Sequence, residues 1–82
     1  MNCLVCGAKA QLVDVTLDGV SIACPRCGEY DVSSFAIASG QMEKLEPEQR
    51  RDALKEAKRS AQPGARPMII THLLAQASLS AG

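Results

Sequence analysis

Cys3-Leu4-Val5-Cys6-Gly7 and Cys24-Pro25-Arg26-Cys27-Gly28 are two C-x-x-C-G knuckles that hold all four cysteines of the chain, with 17 residues between Cys6 and Cys24. A two-residue spacer lets two sulfurs turn toward one ion. The glycine that follows can take the positive φ that a side chain resists. Paired knuckles at this spacing form a tetrathiolate metal site, with zinc the expected ion, held by Cys3, Cys6, Cys24 and Cys27. Four thiolates fill a tetrahedral Zn²⁺ and leave no position for water or substrate, so the expected role of the metal is structural. Pro25 stiffens the second turn. The thiolate-bound ion carries a formal charge of minus two, part of which Lys9 and Arg26, close to the knuckles in sequence, can offset.

Other readings of the cysteines meet specific objections. A disulfide framework needs an oxidising compartment; Met1-Asn2-Cys3 leaves no room for a signal peptide and no segment is apolar enough to span a membrane, so a cytoplasmic protein is expected. A thioredoxin-type pair calls for one C-x-x-C beside a βαβ unit. A rubredoxin-like iron site also uses paired knuckles, but its longer spacer and aromatic core are missing from a chain with one Tyr, one Phe and no Trp.

The chain of 82 residues makes one small domain. A domain of this size buries only about 60–65% of its unfolded surface and usually needs a staple. Structural zinc contributes about 10–16 kcal/mol of apparent binding energy in small peptides, enough to decide whether such a fold forms. Nine acidic and nine basic residues give no net charge, but they are unevenly placed. Asp14, Asp18, Glu29, Asp31, Glu43, Glu46 and Glu48 outnumber Lys9, Arg26 and Lys44 up to residue 48; Arg50, Arg51, Lys55, Lys58, Arg59 and Arg66 face only Asp52 and Glu56 after it.

Between the knuckles Val13, Val15 and Leu17 alternate with Asp14 and Thr16, a period-two pattern predicting a half-buried strand. Asp18-Gly19 is a turn dipeptide, Val20 and Ile22 return the apolar face toward Cys24, and Glu29 to Val32 can add a third strand. This is a zinc-ribbon pattern over 1–33. Residues 34–82 read as two to three helices packed on it, giving a small α+β fold. Ser33 or Ser34 caps a helix bearing Phe35, Ala38, Met42 and Leu45, and Gly40 marks either close packing or an early end. Pro47 opens a second helix that Gln62-Pro63-Gly64 stops; its narrow apolar side is Ala53, Leu54, Ala57 and Ala61. Pro67 to Ala77 forms a last apolar segment that closes the core, part of which can serve a homodimer, and His72 reads as a surface or packing residue.

Cations at Arg50, Arg51, Lys55, Lys58, Arg59 and Arg66 are the candidate partner-binding residues. A phosphate ladder is one reading. Against it, Glu48 with Arg51, Asp52 with Lys55 and Glu56 with Arg59 are acid-before-base pairs at i, i+3, each worth about 0.2–0.5 kcal/mol. That leaves Arg50, Lys58 and Arg66 as the freest cations.

Cys24 to Ser33, C-P-R-C-G-E-Y-D-V-S, resembles the ribbon leader C-P-x-C-G-x-Y-x-[IV]-S of poorly characterised bacterial and phage zinc-ribbon proteins. In those the leader precedes a helix, an Arg-x-x-Leu stretch and a P-x-I-T segment. Arg51-Asp52-Ala53-Leu54 and Pro67-Met68-Ile69-Ile70-Thr71 look like the later pieces, the second with one extra residue. The resemblance implies zinc and a small accessory role, such as a regulator or inhibitor from a mobile element. The expected function is a non-enzymatic module that docks on a larger protein partner. The alternative is a nucleic-acid-binding ribbon using the basic helix around 50–59, which lacks aromatic platforms for bases.

Overall fold

In the computed structural model, which describes residues 1–80, a hairpin carries the chain from the first knuckle to the second. Strand β1 (Gln11–Thr16) pairs antiparallel with β2 (Gly19–Cys24), and β2 pairs antiparallel with β3 (Gly28–Ser33). The two loop residues are Leu17 and Asp18, one position earlier than the Asp18-Gly19 dipeptide suggested. Thr16 Oγ1 accepts the Asp18 N–H and so closes the turn from its own side chain. Gly19 already belongs to β2, where a Cβ would collide with the Val32 carbonyl oxygen. Glycine is required there because the neighbouring strand passes too close for a side chain.

Ser33 ends β3 and caps α1 (Ser34–Ser39), its hydroxyl accepting the Ala36 N–H at 3.1 Å. Gly40 then takes a left-handed conformation (φ 71°) with open space around its missing side chain, so it ends the helix early and does not serve packing. A single turn, α2 (Gln41–Lys44), leads to α3 (Pro47–Ser60), whose start is fixed by Pro47 and by the Gln49 side chain accepting the Glu46 N–H at 2.8 Å. Two short pieces follow, β4 (Met68–Ile69) and α4 (Thr71–Ser80).

Strand β4 is an element that the reading of residues 34–82 as helices alone does not include. It pairs parallel with β3, matching Asp31 to Met68 and Val32 to Ile69, and completes a sheet of order β1-β2-β3-β4. Parallel pairing needs a long crossover, which α1 to α3 supply. The Asp31 N–H donates to Pro67 O at 2.8 Å, and Arg66 Nε lies 3.4 Å from Asp31 Oδ1, so the junction is held from both sides.

One core runs through the whole assembly. Val5, Ile22, Tyr30, Val32, Ala36, Ile69 and Leu74 are fully buried, with Met42, Leu45, Ala53, Leu54, Ala57 and Ala77 around them. Leu74 and Ala77, from the last apolar segment, thus belong to this core. Two expectations about the apolar pattern are overturned. Phe35 is 79% exposed and Ala38 is exposed; Ala36 is the buried residue of α1. Every residue of β1 is exposed, Val15 by 61%, and Leu17 in the turn by 98%. The alternation expected through Val13, Val15 and Leu17 holds only at Val15: Leu17 lies in the turn, and Leu12, opposite Ile22, joins Val15, opposite Val20, on the core-side face. Its cover is missing: α1 lies on β2 and β3, α3 on β4, and β1 packs mainly on β2. Val13 is the extra residue of a bulge between Leu12 and Asp14.

Candidate metal centre

The first knuckle is built by a small closed loop. Asn2 bridges Lys9, the Ala10 N–H donates to Met1 O at 2.9 Å, and the Gly7 N–H donates to Cys3 O at 3.0 Å, with Gly7 at φ 79°. The second knuckle is the reversal between β2 and β3, closed by the Cys24–Gly28 pair, with Gly28 at φ 83°. Both glycines adopt the conformation that the motif requires of them.

All four sulfurs lie within 4.8 Å of one another. Cys3 Sγ is 3.8 Å from Cys27 Sγ, and Cys6 Sγ is 3.5 Å from Cys24 Sγ. A tetrahedral ion with sulfurs at about 2.3 Å sets them about 3.8 Å apart. A disulfide would need about 2.05 Å, and the four thiols are free. The spacing therefore fits four ligands sharing one ion. Cys3, Cys24 and Cys27 are buried and Cys6 is half-buried, so the quartet sits at one end of the core.

The sulfurs are not left bare. Val5 N–H donates to Cys3 Sγ at 3.4 Å. Tyr30, fully buried on β3, places its hydroxyl 3.0 Å from the same sulfur while accepting the Leu4 N–H at 3.2 Å. A deprotonated Cys3 sulfur can only accept, so toward the thiolate the Tyr30 O–H is the donor. Burial opposes ionisation of the Cys3 thiol, but the Cys6 backbone, the Tyr30 hydroxyl and the Val5 backbone outweigh it and hold it down at about 6. Burial and the neighbouring sulfurs push the Cys27 thiol up, and burial together with Cys3 does the same to the Tyr30 phenol. With no cation between them, four sulfurs this close cannot all be charged; a divalent ion reverses that balance.

The candidate partner-binding cations are divided by the fold. The three expected to be freest are each engaged. Arg50 donates to Leu4 O and Glu43 O, both at 3.4 Å, bracing the first knuckle. Lys58 Nζ donates to Cys27 O at 3.0 Å, tying α3 to the second knuckle. Arg66 is paired with Asp31. Of the three expected i, i+3 pairs only Glu56 with Arg59, at 3.0 Å, is formed among the described residues. Arg51 and Lys55 stand instead with Arg26 and Lys58 around one hollow.

Sequence reasoning placed Tyr30 on a strand without seeing its tie to sulfur. The available signal was its position three residues after Cys27, in the strand that leaves the knuckle. His72 lies outside the sulfur group, with Nε2 3.1 Å from Gln76 Nε2. Among the described residues, no helix is long and apolar enough to cross a membrane. No protein-family model, curated protein or solved structure matches the chain.

Proposed function

We propose that this protein is a zinc-ribbon module without catalytic activity, which uses a metal-stapled scaffold to dock on a larger protein as a small accessory regulator or inhibitor. The observation that carries the zinc reading is the sulfur quartet, with its tetrahedral separations and the Tyr30 hydroxyl and Val5 N–H aimed at Cys3. The residues fit zinc because it favours closed tetrahedral thiolate sites. Bound there, the ion would supply cross-linking and charge neutralisation. A complete sulfur quartet leaves it no open position, which is the support for a non-enzymatic role.

The docking part rests on β1. Its core-side residues Leu12 and Val15 emerge from beneath the helical layer, with Leu17 at the tip. Phe35 belongs to the same end, because the Ser34 N–H beside it donates to Asp18 O at 2.8 Å. The resemblance of residues 24–33 to the ribbon leaders of bacterial and phage zinc-ribbon proteins supports the accessory role. Affinity capture from host lysate, with and without nuclease, tests the reading against the nucleic-acid alternative. A partner retained after nuclease but lost with Leu12→Ser plus Val15→Thr supports it. Capture that depends on nucleic acid, or that ignores the β1 changes, contradicts it.

A further inference from the structure

Beside the second knuckle, Arg26, Cys27, Arg51, Leu54, Lys55 and Lys58 enclose a hollow of about 220 Å³. Its composition departs from that of a neutral protein: four cations and no carboxylate. Cys27 and Leu54 are buried and form the floor, while the four basic side chains are exposed and form the rim. Two separate parts of the chain build it. Arg26 comes from the turn between the knuckle cysteines. Arg51, Lys55 and Lys58 come from α3 at spacings of four and three residues, which places them along one side of the helix.

Charge compensation for the metal centre does not exhaust this cluster. Four thiolates around a divalent ion carry a formal minus two, so four cations would leave a surplus of two even if all served it. Lys58 is tied to the Cys27 carbonyl. Arg26, Arg51 and Lys55 form no ion pair among the described residues. The nearest acids along α3, Asp52 and Glu56, border a different hollow shared with Arg59 and α4; Lys55 lies between the two.

The geometry points to a phosphoryl-binding site in this hollow, with Arg26, Arg51 and Lys55 as its ligating groups and Lys58 fixing α3 to the knuckle. A phosphoryl group offers two negative charges and several acceptor oxygens, matching the surplus and the fork geometry of arginine. The same group can come from a small phosphorylated molecule or from a nucleic-acid backbone. This site is separate from the docking surface on β1 and requires only that the second knuckle be formed.

The test titrates inorganic phosphate, and in a parallel arm a single-stranded oligonucleotide, into the full chain while following backbone amide resonances. Metal content is measured on the same sample, so loss of the zinc reading is recorded independently of phosphate binding. Saturable shifts centred on Arg26, Arg51, Leu54 and Lys58 are expected. Arg51→Gln plus Lys55→Gln should weaken binding about tenfold or more, while Arg59→Gln, on the other flank, should not. Both positions are exposed, and an unchanged melting curve confirms that the fold survives. Tighter, salt-steep oligonucleotide binding at the same amides assigns the group to a nucleic-acid backbone; binding of phosphate alone assigns it to a small molecule. No saturable response in either arm, or equal weakening by Arg59→Gln, overturns the site.

Discussion

Tyr30 connects the ribbon's core to its metal centre through one hydroxyl, which receives the Leu4 N–H and turns its own proton toward Cys3 Sγ. Tyr30→Phe keeps the buried ring and removes both bonds. The expected cost is about 1–3 kcal/mol, because groups that remain lose their partner, and chemical denaturation of the metal-loaded chain measures it. Loss of metal to a competing chelator should accelerate in the same variant. A second consequence concerns pH. The folded Cys3 thiol, at about 6 against an ordinary 9.0, favours the fold in its ionised form. That contribution is complete above 9.0, shrinks as pH falls, and is gone below about 6. Protons also compete with the ion for this thiolate, so metal retention followed by a chromogenic indicator should fail on acidification, and release confined to alkaline solution would contradict the assignment. At this scale the ligands were legible, because C-x-x-C-G states both the donors and the turn. Their partners were not, since a hydroxyl on β3 reaches Cys3 only once the sheet has brought residue 30 beside residue 3.

Elements that declare their own ends were also legible. Ser33, Gly40, Pro47 and Gln62-Pro63-Gly64 punctuate the chain through caps and breakers that act locally. Strand β4 escaped because two residues carry no periodicity, and its strand character comes entirely from pairing with β3. The exposure of β1 escaped for the converse reason: alternation identifies a face but not whether another element covers it. Two substitutions probe how the elements are joined. Lys58→Ala removes the bond from α3 to the Cys27 carbonyl and should cost about 1 kcal/mol, lowering the melting temperature by about 4–8 °C for a chain of this size. Lys55→Ala, which breaks no bond seen here, is the control. Gly19→Ala forces a Cβ against Val32 O between β2 and β3 and should cost on the order of 2 kcal/mol or more in urea denaturation. Gly40→Ala, strained in φ but unobstructed, should cost about 1–2 kcal/mol.

For the molecule as a whole, the helices cover three strands and leave the fourth to solvent, so the core and the proposed docking surface fall on different parts of one sheet. The bulge at Val13 and the charge of Asp14 guard the free edge against indiscriminate strand pairing. Leu12→Ser with Val15→Thr should consequently leave stability within about 0.5 kcal/mol per site while abolishing partner capture. Stability itself is assigned to the metal. The sulfur quartet joins the N-terminal loop to the β2–β3 turn, and Arg50 and Lys58 fasten α3 to those same two knuckles. Loss of the ion should therefore be felt through the sheet and the helices together. The most direct measurement is X-ray absorption at the zinc edge of the purified protein, followed by circular dichroism before and after chelation. The account predicts one zinc per chain, a shell of four sulfurs at about 2.3 Å, and cooperative loss of structure when the ion is withdrawn. A metal-free protein that is fully ordered and unaffected by chelator would contradict it.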